Sequence, residues 1–178
     1  GNAACVECHA KPEYTTAIEQ HTFHKPDSTG SNCLNCHMPH TTYALLGAIR
    51  NHQVQSPSAG RSIRHGVPNA CNLCHTSQPI AWTLEHLESW YDPHNLKPPI
   101  APGNSENTRP VGTRWLASEH ESVRLVGLDA LARSQAGWAL PRMLDALDDP
   151  FLVNRQFATR AIENWLKLSL ADLGYRFY

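Results

Sequence analysis

The chain has 178 residues and a formal net charge of −1 at pH 7, so its overall charge favours neither nucleic acid nor an acidic substrate as a partner. The length fits one or two domains, and no apolar run approaches the length of a membrane-spanning helix. The sequence begins at Gly1 without a methionine or a signal peptide, and we read it as a mature, processed chain.

Large apolar side chains are unevenly distributed along the chain. All five tryptophans lie after residue 75, whereas residues 1–75 are rich in His, Pro, Gly, Ser and Thr. A segment with so little apolar area does not offset the entropy cost of its own ordering. Residues 1–75 are therefore either disordered or completed by a bound group that supplies their core.

One short pattern uses every cysteine of the chain. Residues 5–9, 33–37 and 71–75 read CVECH, CLNCH and CNLCH, which are three copies of C-x-x-C-H containing all six cysteines. This spacing suits two thioether bonds to one haem, with the adjacent histidine reaching the iron. The pattern predicts three haem c groups, which would supply the missing core. The predicted attachment residues are Cys5, Cys8, Cys33, Cys36, Cys71 and Cys74, and the predicted proximal ligands are His9, His37 and His75.

Two other interpretations of the cysteine pairs are less consistent with the pattern. Zinc sites with four cysteines use the pairs two at a time, so three pairs leave one over, and zinc does not explain the histidine after each pair. A redox disulfide in each C-x-x-C would be typical of a thioredoxin-like βαβ fold, which the sequence does not indicate.

The remaining histidines are candidates for the sixth position of each iron. Residues 1–75 contain five of them, whereas Met38 adjoins a proximal histidine and Met143 lies far along the chain. We therefore expect bis-histidine ligation, which lowers the reduction potential relative to His/Met ligation. The candidates are His21, His24, His40, His52 and His65.

Spacing ranks these candidates. The sequence HTFH at 21–24 places two imidazoles about one helical turn apart, where they can serve two neighbouring haems. His52 is well clear of any motif and free to fold back, and His65 is its main rival. His40 follows Pro39 directly after a motif and is more typical of a residue that contacts a ligand or a haem propionate. We predict His21, His24 and His52 as the distal ligands.

Residues after the third motif predict helices. Residues 79–92 contain an apolar stripe at helical spacing and begin with a proline, which indicates a helix that packs on the third haem, with His86 exposed or next to a ligand. Residues 93–112 contain five prolines and are predicted to be a linker. The predicted organisation is therefore a cytochrome domain at 1–92, a linker at 93–112 and a helical domain at 113–178.

The helical domain contains an internal repeat. Residues 116–132 align with residues 147–163 at a constant offset, and small residues at matched positions allow close helix packing. This pattern favours HEAT-like helix pairs over the alternative of a plain helical bundle. The predicted core of this domain consists of Trp115, Val123, Leu131, Trp138, Leu144, Phe157, Ile162 and Trp165. The fold class is thus mainly α, with a loop-rich trihaem domain followed by a small repeat domain.

Several motifs in residues 5–92 resemble those of multihaem cytochromes c that carry C-terminal helical repeats. The shared elements are HTFH, CLNCHMP, RNH and PNACNLCH, and they recur in the same order in that family. The resemblance implies His21, His24 and His52 as distal ligands, and it gives His65 no fixed counterpart.

The expected function is electron transfer in the periplasm or outside the cell, where haem c is attached. The chain is not expected to be an enzyme, because three six-coordinate irons leave no position for a substrate. The alternatives are a subunit of a multihaem oxidoreductase of the nitrite reductase or hydroxylamine oxidoreductase type, and a haem-based sensor. Expected partners are redox proteins or further copies of the chain, since the surplus histidines and the few residues before Cys5 suit a homopolymeric filament with cross-subunit haem contacts. A monomeric shuttle is the alternative to that assembly.

Overall fold

The computed structural model describes residues 2–44, 47–91, 105–176 and 178, with the side chains of residues 105 and 106 excepted. This part of the chain is mainly α-helical, as predicted, with one two-stranded sheet. The helices are α1 (Ala3–Val6), α2 (Glu19–Thr22), α3 (Cys33–His37), α4 (Gly60–His65), α5 (Ile80–Trp90), α6 (Val111–Leu116), α7 (Glu121–Arg133), α8 (Leu140–Asp145) and α9 (Leu152–Leu166). The strands are β1 (Thr42–Ala44) and β2 (Gly47–Ile49). Short 3₁₀ turns lie at Pro12–Tyr14, Thr29–Ser31, Ser105–Thr108, Gly137–Ala139 and Ala146–Asp148.

The sequence analysis did not predict the hairpin of β1 and β2. Its strands are antiparallel, and Thr42 pairs with Ile49. Threonine, tyrosine and isoleucine favour extended backbone, but three residues per strand are too few for a recognisable alternation. Both strands pack against α7, so the hairpin joins the first part of the chain to the helical part.

The helix predicted at 79–92 is α5, which begins at Ile80 and ends at Trp90. Pro79 precedes it with extended backbone, which suits a residue that lacks an amide hydrogen. Residues 93–104 of the predicted linker lie outside the described residues. The last two residues of that predicted linker, Val111 and Gly112, already belong to α6.

Helix α7 packs against both α6 and α9. The predicted close approach at Gly127 is confirmed, since a Cβ there would lie 2.8 Å from the Cβ of Trp115. Five of the predicted core residues are buried and Trp165 is partly buried, but Trp138 and Leu144 are 45% and 44% exposed. Those two predictions are wrong because a 3₁₀ turn at Gly137–Ala139 breaks the helical period on which they depended.

The apolar core extends across the boundary between the predicted cytochrome domain and the predicted helical domain. One cluster combines residues of the 59–87 segment with residues of α6, α7 and α9. The other cluster lies within residues 116–175. Backbone hydrogen bonds from Val111 to Gln78 (3.1 Å) and from Gly112 to Thr76 (3.0 Å) join the same two parts. Among the described residues, no helix has the length and apolar character needed to cross a membrane.

Candidate cofactor-binding site

The backbone of each C-x-x-C-H motif forms a single turn. In the first motif the amides of Cys8 and His9 donate to the carbonyl of Cys5, at 3.2 and 2.9 Å. The third motif repeats this pair of bonds at 3.2 and 3.0 Å, onto the carbonyl of Cys71. The second motif is helix α3 itself, capped by the side chain of Asn32, which accepts from the amide of Leu34.

The three motifs lie next to one another. The Asn2 side chain connects the first two, because its Nδ2 donates to the carbonyl of Ser31 (2.9 Å) and its Oδ1 accepts from the amide of Cys33 (3.0 Å). The thiol of Cys33 lies close enough to that of Cys5 for the two groups to interact electrostatically. At the other end of the second motif, Cys36 lies close enough to Cys74 for the two thiols to interact electrostatically.

The thiol environments disfavour a dithiol redox motif. Burial, followed by the proximity of Cys36, raises the pKa of Cys71 to about 12. Burial is also the main cause of the raised pKa of Cys33 and of Cys36. Reactive cysteines in C-x-x-C redox motifs have a lowered pKa, because the thiolate is the nucleophile. All six cysteines are unpaired in the structure.

Two pairs of imidazoles form the centre of the site. The ring of His21 faces that of the motif residue His37, with 6.1 Å between ring centres and 2° between ring planes. The ring of His24 is paired in the same way with the motif residue His75, at 6.0 Å and 38°. The two histidines of the HTFH sequence therefore lie next to two different motifs, and their role as distal ligands stays a prediction.

The local backbone explains how neighbouring histidines reach different partners. His21 lies in α2, which ends at Thr22, and Phe23 then adopts a left-handed conformation with φ of 54°. This conformation is unusual for a bulky L-residue and reverses the direction of the chain. His24 therefore does not continue the face of α2, and the expectation of one shared helical face is wrong in its geometry.

The pair distances fit two imidazoles that bind one metal ion from opposite sides. Two metal–nitrogen bonds of about 2 Å, together with about 1.2 Å from each nitrogen to its ring centre, separate the ring centres by about 6 Å. Aromatic pairs without a metal ion have ring centres about 4.5–7 Å apart, so stacking alone does not select a separation of about 6 Å. The separations of the His21–His37 and His24–His75 rings are thus close to the value expected if each pair held one metal ion.

The protonation of the rings also suits metal binding. Nδ1 of His37 lies 2.9 Å from the carbonyl oxygen of Gln55, and Nδ1 of His24 lies 2.5 Å from that of Thr22. A carbonyl only accepts, so each Nδ1 donates and each Nε2 retains its lone pair. Burial, followed by the neighbouring histidine, lowers the pKa of both His21 and His75, which keeps them neutral at pH 7.

The first motif differs from the other two in the ring that lies next to its histidine. The ring next to His9 is that of Tyr14, at 5.6 Å and 83°, and Tyr14 in turn contacts His21 at 4.8 Å. His52 and His65 are both exposed and make no ring contact with His9 within the described part of the chain. His40 is half-buried, and its Nδ1 lies 3.0 Å from the carbonyl oxygen of Ala48. The assignment of the third distal ligand thus stays a prediction.

Arg50 holds the second motif in place. Its Nη1 donates to the carbonyls of Leu34 (2.7 Å) and Met38 (3.1 Å), and its Nη2 donates to Oδ1 of Asn35 (2.7 Å). These carbonyls lie in and just after α3, where the negative end of the helix dipole favours a cation. The chain after Arg50 then returns to the motif, since the amide of Gln55 donates to the carbonyl of His37 at 3.0 Å.

A buried amide network holds the third motif. Nδ2 of Asn72, which is fully buried, donates to the carbonyls of His75 (3.2 Å) and Gln78 (3.3 Å). Its Oδ1 accepts from Thr83 (2.7 Å) and from Asn69 (2.8 Å). Since buried amides are retained where all their hydrogen bonds are made, the variable position after the first cysteine has a structural role here.

An aromatic row along α5 borders the third site. Trp82, His86 and Trp90 are spaced four residues apart and contact each other in turn at 4.1 and 5.1 Å. Trp82 lies 4.7 Å from the ring of His75, and Trp90 lies 6.1 Å from that of His24. This row therefore contacts both members of one imidazole pair, and the helix borders this site, as the sequence analysis expected.

Sequence reasoning missed the aromatic face of α5 because it looked for an aliphatic stripe. The spacing of Trp82, His86 and Trp90 was the signal that could have found it. Tyr91, the residue after α5, donates its hydroxyl hydrogen to the carbonyl of His21 at 2.5 Å. The roles of Arg50 and Asn72 depend on tertiary contacts that no local pattern indicates.

The comparisons with known proteins give no match: no family model, no curated protein and no solved structure is significantly similar to the chain. Within the described residues, no group of three or more His, Cys, Asp or Glu side chains is arranged to hold a metal ion.

Proposed function

We propose that this chain is an electron-transfer protein carrying three haem c groups. The observation that carries the proposal is the pairing of each HTFH histidine with a motif histidine, at ring-centre distances of 6.1 and 6.0 Å. Each pair combines the expected separation with a free Nε2 on at least one ring, next to two cysteines in the attachment spacing. When bound, each haem supplies a one-electron ferric/ferrous couple.

The residues of the chain have distinct tasks in this proposal. The six cysteines of the three motifs hold the haems covalently, with His9, His37 and His75 as proximal ligands. His21 and His24 are the distal ligands of the second and third haems. Gln55 fixes the orientation of His37 by accepting from its Nδ1, and the aromatic row on α5 excludes water from the third site. Two histidines per iron would leave no position for a substrate, which suits a carrier better than an enzyme.

The first haem takes His52 as its distal ligand in this proposal, with His65 and His40 as the alternatives. His52 and His65 are exposed, which leaves their rings accessible to a haem of the same chain or of a neighbouring copy. A histidine supplied by a second copy would join subunits head to tail into a filament. The site of action is the periplasm or the cell exterior, because the haem c linkage is made there.

The experiment that tests the proposal is the intact mass of the denatured native protein, followed by spectroscopy of the ferric state. We expect a mass equal to the polypeptide plus three haems, and low-spin spectra from the second and third sites. A mass equal to the bare polypeptide would refute the proposal. Native electron microscopy and sedimentation then separate a filament from a monomeric shuttle.

A second candidate function is a subunit of a multihaem oxidoreductase. It is favoured by the surroundings of the first motif, where the ring next to His9 is that of Tyr14. An iron with an exchangeable position binds carbon monoxide in the reduced state, whereas bis-histidine irons resist it. Binding of one equivalent of carbon monoxide per chain would favour this second function, and the absence of binding would favour the carrier.

A further inference from the structure

Gly30 makes the closest approach of any described glycine to a candidate ligand. It lies in the 3₁₀ turn Thr29–Ser31, three residues before Cys33. A Cβ placed on Gly30 would lie 2.1 Å from Cδ2, 2.4 Å from Cγ and 2.9 Å from Cβ of His24. Carbon atoms in contact are normally about 3.5–4.0 Å apart. A side chain at position 30 therefore cannot coexist with the observed position of the His24 ring.

The clash cannot be relieved by a simple rotation of the histidine. It includes the Cβ of His24, which rotation about the Cα–Cβ bond does not move. The ring is also held on its other sides, by the carbonyl of Thr22 at its Nδ1 and by the Trp90 ring at 6.1 Å. Relief would thus require one of the two backbone segments to shift and would alter the 6.0 Å pairing with His75.

Gly30 has no conformational reason to be glycine. Its φ lies outside the left-handed region, so an alanine would meet no backbone strain there. The atoms nearest to a Cβ at this position all belong to the side chain of His24, so the need for glycine comes from that side chain. This separates Gly30 from Gly66 and Gly174, which have φ of 68° and 89°.

We propose that Gly30 is a positioning residue for His24: the missing side chain allows the chain entering the second motif to pack against the imidazole that faces His75. This inference rests on the proposed function, in which His24 is the distal ligand of the third haem. It also makes the second and third sites interdependent, because the segment that leads to one of them sets the ligand of the other.

The test uses the full, haem-loaded chain with Gly30→Ala and the matched control Gly47→Ala. A Cβ on Gly47 meets nothing within 4 Å, and its φ is also outside the left-handed region. We expect Gly30→Ala to retain three covalent haems by mass and to convert one of them to a high-spin form, which added imidazole returns to low spin. Gly47→Ala should keep the spectrum of the unmodified protein.

A double-mutant cycle with His24→Ala shows whether Gly30 acts through the ring. Removal of the ring eliminates the two shortest contacts, of 2.1 and 2.4 Å, and leaves only the 2.9 Å approach between the two Cβ atoms. Gly30→Ala should therefore lower Tm by much less in the His24→Ala background than in the unmodified chain, and it should add no further high-spin signal there. The same decrease in Tm in both backgrounds would overturn the inference. If Gly30→Ala alone does not accumulate, recovery of folded protein in the double variant supports the inference, and failure of the double variant where His24→Ala folds overturns it.

The outcomes distinguish this inference from the proposed function. An unmodified chain without covalent haem would refute the proposed function itself. Three covalent haems with a fully low-spin Gly30→Ala spectrum would refute only the role of Gly30.

Discussion

Residues 2–58 and the rest of the described chain reach an ordered structure by different means. Among the described residues of the first region only Ser31 and Pro39 are buried, whereas the second region contains two clusters of buried apolar side chains, the first of which begins at Ala59. Ordering a residue costs about 1–2 kcal/mol of backbone entropy, which a region without a core does not recover from its own side chains. In the proposed function the first region therefore depends on the haems that its cysteines and histidines would hold, whereas the second region depends on apolar burial.

The strongest test of this contrast is a chain without haem. We expect the protein made without haem attachment to lose amide protection throughout residues 2–56, while α7 and α9 stay protected, because their core is formed by their own side chains. Hydrogen exchange followed by mass spectrometry measures both regions in one sample. Similar protection of the two regions without haem would contradict the comparison.

Ligand substitutions sharpen the contrast within the first region. His21→Ala and His24→Ala should each convert one haem to a high-spin form, because each removes one ring of a pair. Electron paramagnetic resonance or visible spectroscopy of the ferric protein measures the change. If His65→Ala creates a high-spin signal and His52→Ala does not, then the predicted third distal ligand is wrong.

In the second region, the ion pair of Arg124 and Asp149 is expected to matter most among the polar contacts. The guanidinium donates to both carboxylate oxygens, at 2.6 and 2.9 Å, and the two side chains are 14% and 5% exposed. Asp149→Asn should lower the free energy of unfolding by about 3 kcal/mol, since breaking a buried pair strands one charge. Denaturant unfolding measures this. Asp145→Asn is the control, because the Arg142–Asp145 pair is 68% exposed on both sides, and it should leave stability unchanged.

The carboxylate of Asp149 also makes the free energy of unfolding depend on pH. Burial raises the pKa of Asp149, but hydrogen bonds from Arg124, the Phe151 amide and Asn154 outweigh it, so the pKa lies below the ordinary value of 3.8. The stabilisation is then fully present above that value and is lost as the pH falls through the lowered pKa. Asp149→Asn should therefore reduce the acid dependence of unfolding below about pH 4. An unchanged acid dependence would contradict this assignment.

The smallest expected change in stability comes from replacing Arg50, whose hydrogen bonds hold the second motif. Arg50→Met should destabilise the loaded protein by about 2 kcal/mol, in the range for hydrogen bonds to a charged group. Three acceptors around α3 lose their donor in this variant. Arg142→Met removes an exposed arginine and should change Tm by less than the measurement error. Equal effects of the two substitutions would show that the hydrogen bonds of Arg50 do not contribute to stability.

Local patterns were sufficient for part of this molecule. The α5 helix and the buried positions Val123, Leu131, Phe157 and Ile162 were predictable, because one face of a helix repeats with a period of 3.6 residues. The approach of His21 and His24 to two different motifs depends on the left-handed residue Phe23 between them, which their spacing does not indicate. The prediction that Trp138 is buried is wrong because this residue lies in a 3₁₀ turn, where the period of 3.6 residues does not apply.

The rest depends on contacts between distant residues. Nothing near Gly30 in the sequence indicates that the ring of His24 lies against it, and Asn2 is tied to the second motif by contacts 29 and 31 residues away. The partner of Arg50 is likewise defined only once α3 and β2 are in place. Such close approaches and buried polar bonds have no sequence period, so reasoning from one sequence cannot find them.

The backbone bonds from Val111 and Gly112 to Gln78 and Thr76 bear on how this chain could be recombined with others. A Cβ on Gly112 would meet the Thr76 carbonyl at 3.2 Å and Leu131 at 2.9 Å, so the junction admits little change on either side. The third motif and the helices would thus be inherited as one exchangeable unit. The tolerant crossover point lies near residues 56–58, before the first buried apolar residue, rather than in the proline-rich stretch. A chimera divided there would carry two haem motifs on one parent and one on the other.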